Sequence, residues 1–183
     1  LSFLIFNVST TYWIWYSTIV GSSIAFFLNS FLMSLSFVCF HKVKKILGRK
    51  QGYLSFLVFW ISFEYLHLHW DLAWPWLTIG NVFSKQTFLI QWYEYTGVLG
   101  GSFWVLIVNI LLFNWWRADR RIKKLIIPGI CFLSPFILSL LLQRSDKESY
   151  HEIVIVQPNI DSYKDKFNRD DQEQLDDFIR IAR

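Results

Sequence analysis

The first 41 residues, Leu1 to His41, contain no Lys, Arg, Asp or Glu, and nothing else in the chain restricts its fold as strongly. One membrane span takes about 20 residues, so the run is too long for a single helix crossing. It divides best between Tyr16 and Ser23, where Ser17, Thr18, Gly21, Ser22 and Ser23 cluster. That places the end of one helix at 1–15 and a full span at 19–40. Three further apolar segments follow, at 51–68, 95–116 and 125–143, the last two free of charge. Pro128 and Pro135 fall in the last. A membrane helix tolerates proline where a neighbour satisfies the carbonyl that loses its N–H partner.

Composition supports the same class. Only 17% of the 183 residues are charged, against about 25% in soluble domains. Ten Trp, eight Tyr and eighteen Phe suit long membrane–water boundaries. Two cysteines, Cys39 and Cys131, are too few for a disulfide scaffold. Both lie in apolar runs, where a thiol is a poor nucleophile. The net charge of +4 is unevenly spread: residues 1–143 carry +7 and residues 144–183 carry −3. The cations cluster in two short loops, Lys42, Lys44, Lys45, Arg49 and Lys50, then Arg117, Arg120, Arg121, Lys123 and Lys124. This is a membrane-topology pattern rather than a nucleic-acid one. Two spans separate the loops, so both face the cytoplasm. The connection at 69–94, with Lys85 as its one basic residue, lies outside, and residues from 144 onward emerge there too.

The division expected from these patterns is a helical membrane part at 1–145 and the start of a soluble domain at 146–183. Ile153 to Val156 is a short β-branched run of the kind buried on both sheet faces, and Pro158 ends it. A helix follows. Asp170 and Glu173 resemble a capping box, and Leu175, Phe178, Ile179 and Ala182 share one apolar face. Leu1 opens inside an apolar run and Arg183 closes inside a helical pattern, so the chain reads as an internal piece of a longer protein.

The chemistry-bearing residues gather in the outer connection. Glu64 lies near the outer end of a span, where an ionisable group is a functional candidate. His67, His69 and Asp71 are potential metal ligands, but i and i+2 on a helix point apart and no second ligand cluster exists, so interfacial anchoring is the expected role. Trp74-Pro75-Trp76 is either an aromatic belt or a loop that dips into the outer leaflet and lines a lipid path, with Pro75 holding the turn open. Gly97 and Gly101 form a small-xxx-small pair suited to close helix packing, and Asn109 is placed to bond a neighbouring helix. The Asn7-Val8-Ser9 sequon lies within a span and is discounted. The sequence contains no complete nucleophile–base pair, Walker loop or zinc box.

Several segments, in order, resemble the bacterial apolipoprotein N-acyltransferase family. Phe63-Glu64-Tyr65-Leu66 followed by Trp74-Pro75-Trp76-Leu77 is similar to its Glu-Phe-Leu … Phe-Pro-Trp-Leu segment, and Ile79-Gly80 to the continuation. Tyr95-Thr96-Gly97-Val98 with Gly101-Ser102-Phe103 resembles its Gly-rich entry to the next span. Val154 to Ile160 looks like the first strand and Gln-x-Asn-Ile turn of its nitrilase-like domain. Many members carry Lys-Trp after that turn, where this chain has Lys166-Phe167 at slightly different spacing.

The resemblance implies an eight-span membrane domain joined to an outer-face αββα nitrilase-like domain in the bacterial inner membrane. It implies transfer of an acyl chain from a phospholipid, through a cysteine thioester, to the N-terminal diacylglyceryl-cysteine of a lipoprotein. It also implies a catalytic Glu–Lys–Cys set, with Glu as base and Lys at the oxyanion, and no cofactor. None of the three maps to a residue here, so the 183-residue piece is expected to be inactive alone. Its expected contribution is the substrate path, with Glu64, Trp74, Pro75 and Trp76 as lining residues and the bilayer, the phospholipid donor and the apolipoprotein acceptor as partners. Two rivals remain open. One is a non-enzymatic polytopic protein, a transporter subunit or assembly partner. The other is a metal-dependent membrane hydrolase using Glu64 and the two histidines.

Overall fold

The computed structural model describes residues 1–118, 121–142, 155–160 and 168–182. The chain divides into two compact units, Leu1–Gln143 and Arg144–Arg183.

The first unit is helical. Helices α1 (Ser2–Thr11), α2 (Ile19–Leu47), α3 (Arg49–His69), α4 (Tyr93–Arg117) and α5 (Ile126–Leu142) follow in order. Three segments, Ile19–Leu47, Tyr93–Arg117 and Ile122–Leu142, are long and apolar enough to cross a membrane. Helix α1 is too short for that, and α3 has the length without the uniform apolarity. The break expected near residue 17 is a 3-10 turn, Tyr12–Tyr16, after which the Thr18 side chain caps α2 by accepting from Gly21 N at 3.3 Å. Such a cap satisfies one of the N–H groups that a helix start leaves unpaired. Gly48, at φ +91°, ends α2 and lets α3 fold straight back.

Helices α2, α3 and α4 share the interior. Met33, Trp60 and Leu106 form one buried cluster, with Phe3, Phe56 and Phe63 packed on it. Polar groups are buried alongside. The Asn29 amide donates to the Asn7 side chain, whose own amide donates to Phe3 O at 2.8 Å. Within a bilayer such groups must find partners inside the protein.

Helix α5 meets the proline condition set by the sequence. Pro135 cannot donate to the carbonyl of Cys131, four residues earlier. The Trp104 indole of α4 takes that carbonyl instead, at 2.8 Å. Pro128 stands in the first turn of α5, where no intrahelical donor is needed.

Two expectations about α4 are corrected. Gly97 adopts φ +63° and kinks the helix, and an added Cβ there would meet nothing within 4 Å, so it makes no close helix contact. The pair with Gly101 is not a packing face, because the helical ladder is interrupted between them. Gly101 itself is buried against the Tyr93 ring. Asn109 donates to Val105 O on its own helix at 2.8 Å rather than to a neighbour.

In the second unit, Ile155 to Ile160 is irregular and Asp171–Ala182 is helix α6. There is no strand among the described residues. Ile153, Val154, Lys166 and Phe167 lie outside them, as does His151. A strand needs a partner for its backbone groups, and none is present among the described residues. Glu173, expected to close a capping box, instead pairs with Arg169 at 2.9 Å.

Candidate functional site

Three 3-10 turns, Pro75–Leu77, Ile79–Phe83 and Thr87–Leu89, make up most of the connection from α3 to α4. Short turns of this kind close only their own i→i+3 backbone bonds, so their position against the helices depends on side chains. Glu64 supplies the principal hold. It is 2% exposed. One of its oxygens accepts from the Trp60 indole at 3.0 Å and from the backbone N–H of Ile79 at 2.9 Å.

Ser102 of α4 stands beside the same carboxylate and accepts from Gly80 N at 2.8 Å. The Tyr93 hydroxyl donates to Gly80 O at 3.0 Å. Gly80 is thus held on both its backbone groups. A Cβ there would run into the carbonyl of Val98, so only glycine allows this approach. At the far end of the connection, Ser139 of α5 donates to Leu89 O at 2.6 Å.

The expected site residues divide by role. Glu64 faces inward and fastens the loop. Trp74 is half-buried beside His67, and its backbone N–H bonds His67 O at 3.2 Å. Pro75 opens the first turn, and its carbonyl accepts from the Asn81 amide at 3.1 Å. Trp76 is 59% exposed and meets the Trp13 ring edge-on at 5.7 Å.

The two histidines part company, as their i and i+2 spacing requires. His67 is buried between the rings of Phe63 and Trp70. His69 is exposed, with Nδ1 2.8 Å from Tyr65 O. No group of three His, Cys, Asp or Glu capable of holding a metal ion occurs among the described residues.

A cavity of about 260 Å³ opens between α2 and the Asp71–Trp74 segment, with Asn29 and His67 in its wall. A smaller chamber of about 10 Å³ lies next to it, bounded by Glu64, His67, Asn29, Trp74 and Thr78. Three of these residues line both spaces. The sequence placed Glu64 and the tryptophans in one segment and marked Gly80 and Ser102 as parts of resembling segments, but it did not join these to Glu64 or indicate Tyr93 or Asn29 as site residues. Their partners lie between 13 and 22 residues away in the chain. The i, i+4 spacing of Trp60 and Glu64 was the one local signal that would have revealed part of the network.

Comparison with known proteins adds two findings. Residues 1–111, more than half of the chain, match the family described as apolipoprotein N-acyltransferase N-terminal domain. A curated relative, the apolipoprotein N-acyltransferase of Chlorobaculum tepidum, is 25% identical over 172 residues, which cover 90% of this chain and 32% of the relative. The chain therefore spans about a third of the length of that relative. No solved structure gives a significant match.

Proposed function

The chain belongs to the apolipoprotein N-acyltransferase N-terminal domain family, and on that premise we propose that it forms part of the membrane domain of an enzyme that N-acylates lipoproteins. The acyl chain would come from a phospholipid, pass through a cysteine thioester, and end on the α-amino group of a diacylglyceryl-cysteine. A thiolate suits both steps because it attacks well and leaves well. The family match over residues 1–111 carries this reading, and the relative's name, an acyltransferase, does not favour a non-enzymatic alternative.

In this reading α1 and α3 join the three long apolar segments as membrane helices, giving five segments in the bacterial inner membrane. Residues 144–183 then lie on the periplasmic side and begin a nitrilase-like domain whose first β–α unit ends in α6. The Glu–Lys–Cys set belongs to the remainder of that domain, so the 183-residue piece has no acyltransferase activity of its own. Glu64 and Pro75 shape the outer loop, and Trp74 and Trp76 present it to lipid. The exposed Trp76 supports this role, because an indole combines an apolar body with one polar edge and favours the membrane boundary.

The test is acyl transfer from labelled phospholipid to a lipopeptide, using the complete protein that contains this chain. Trp76→Ala and Trp74→Ala should each lower turnover by about tenfold with little loss of membrane abundance. Unchanged turnover in both variants would remove the loop from the substrate path. Absence of transfer by the wild-type protein would remove the acyltransferase reading.

A further inference from the structure

Glu64 uses one oxygen in the loop clamp, and its second, Oε2, is buried without a hydrogen-bond partner from the protein. Asn29 Oδ1, the Trp74 indole N–H and both ring nitrogens of His67 are buried in the same way. Glu64 is 2% exposed, and Asn29 and His67 are each 4% exposed. These four residues come from α2, α3 and the outer connection, yet all of them wall one small chamber of about 10 Å³. Buried polar groups normally have partners, because one left unmatched opposes folding. Four of them around one chamber describe a place for a ligand.

We propose that the chamber is a hydration site, in which one ordered water molecule bonds all four residues and ties the outer connection to α2 and α3. His67, Asn29 and Trp74 are then positioning residues that act on Glu64 and its loop through this water, whatever reaction the protein serves. Size and chemistry both select water. A chamber of about 10 Å³ is the room that one water molecule needs. A carboxylate oxygen and an amide oxygen accept, an indole N–H donates, and one nitrogen of a neutral imidazole donates. The Asn29 amide nitrogen already donates to the Asn7 side chain, which leaves Oδ1 as the free end.

The chamber therefore presents two acceptors, Glu64 Oε2 and Asn29 Oδ1, and two donors, the Trp74 indole and a His67 ring N–H. A water molecule has two protons to give and two lone pairs to receive with, so it matches each group once. Other small ligands leave groups unmatched. A metal cation or an ammonium would face two N–H donors, and an anion would face the Glu64 carboxylate. Ser102, beside that carboxylate, is not in the chamber wall. The second His67 nitrogen is left for the adjoining 260 Å³ cavity, which Asn29, His67 and Trp74 also line and through which the water exchanges.

The experiment is hydroxyl-radical footprinting by X-ray pulse, on the complete protein that contains this chain, in phosphatidylcholine nanodiscs. A held water yields radicals where it sits, so it marks buried neighbours, which mass spectrometry then locates. Met33 and Phe63, which wall the chamber, should carry the modification. Trp104, 6% exposed and outside the chamber wall, should carry none. When the protein is mixed with ¹⁸O-water before the pulse, the heavy isotope should reach Met33 later than it reaches the exposed Trp76.

His67→Phe keeps a ring and removes both nitrogens. It should reduce modification of Met33 about fivefold, the effect of losing one hydrogen bond. His67→Gln, which restores an N–H donor, should recover most of it. A ring that only fills space would give no loss with Phe, and that result would overturn the role of His67. Met33 and Phe63 as silent as Trp104 would overturn the hydration site. Arrival of the isotope at Met33 as fast as at Trp76 would do the same, since the chamber would then hold only passing solvent. Loss of the modification when sodium replaces choline in the buffer would assign the chamber to a cation instead. The comparison within the unmodified protein decides the matter even where a variant does not fold.

Discussion

Glu64 and Asp177 are both carboxylates in helices, each held by more than one donor, yet they do different work. Glu64 is buried, and its hydrogen bonds come from neutral groups: an indole N–H and a backbone N–H, from residues 4 and 15 positions away. Asp177 is a third exposed, and its bonds come from the guanidinium groups of Arg169 at 2.8 Å and Arg180 at 3.0 Å. Water competes for Asp177 and screens its charges, so its ion pairs stabilise little. Nothing replaces the partners of Glu64. The comparison shows that hydrogen bonds in the dry interior position a loop, whereas ion pairs at a wet surface mainly shape a local helix end.

Substitutions can break this contrast in graded steps. Glu64→Ala strands the Trp60 and Ile79 donors and should lower stability against denaturing detergent by about 3 kcal/mol. Glu64→Gln, which keeps an acceptor, should lose about 1 kcal/mol. Equal losses in the two variants would show that charge, not bond geometry, holds the loop. Gly80→Ala forces a methyl group onto the Val98 carbonyl and should lose about 2 kcal/mol in the same assay. Trp104→Phe leaves the Cys131 carbonyl without its indole donor and should lose about 1 kcal/mol. Restoring the ladder with Pro135→Ala in that background should recover most of it.

The smallest effect is expected at the surface. Arg169→Ala should leave the melting temperature unchanged. The Arg169 guanidinium beside Asp177 holds its carboxyl below the usual carboxylate range. A carboxylate depressed in the folded state contributes fully above its ordinary value, near pH 4, and loses that contribution as pH falls through the lowered one. Amide exchange across residues 171–182 should therefore keep its protection from pH 7 to 5 and lose some below about pH 4. Arg169→Ala should shrink that acid step to the part that Arg180 sustains. A large change in melting temperature for Arg169→Ala would mean that the surface network matters as much as the buried one.

Much of the architecture was legible because it depends on local pattern. The charge-free run, the Ser/Thr/Gly cluster near residue 17 and the basic loop before residue 51 placed the breaks around α2 and α3. The Pro135 position carried a requirement for an outside donor, although not the identity of Trp104. The Gly97–Gly101 spacing misled, since spacing alone does not distinguish a packing face from a kink. The site was legible as a segment, Glu64 to Trp76, but not as a geometry.

The sequence by itself determined the class of protein: a chain so apolar over so many consecutive residues must form helices that satisfy their own backbone in lipid. It also determined which loop would carry polar and aromatic side chains, the connection between α3 and α4. Only the tertiary structure decided that Glu64 turns inward to hold Ile79, that Ser102 and Tyr93 grip Gly80, and that His67, Asn29 and Trp74 converge on one cavity. Those contacts join residues on different elements, and their energy depends on distance and orientation between groups whose separation along the chain carries no information about either.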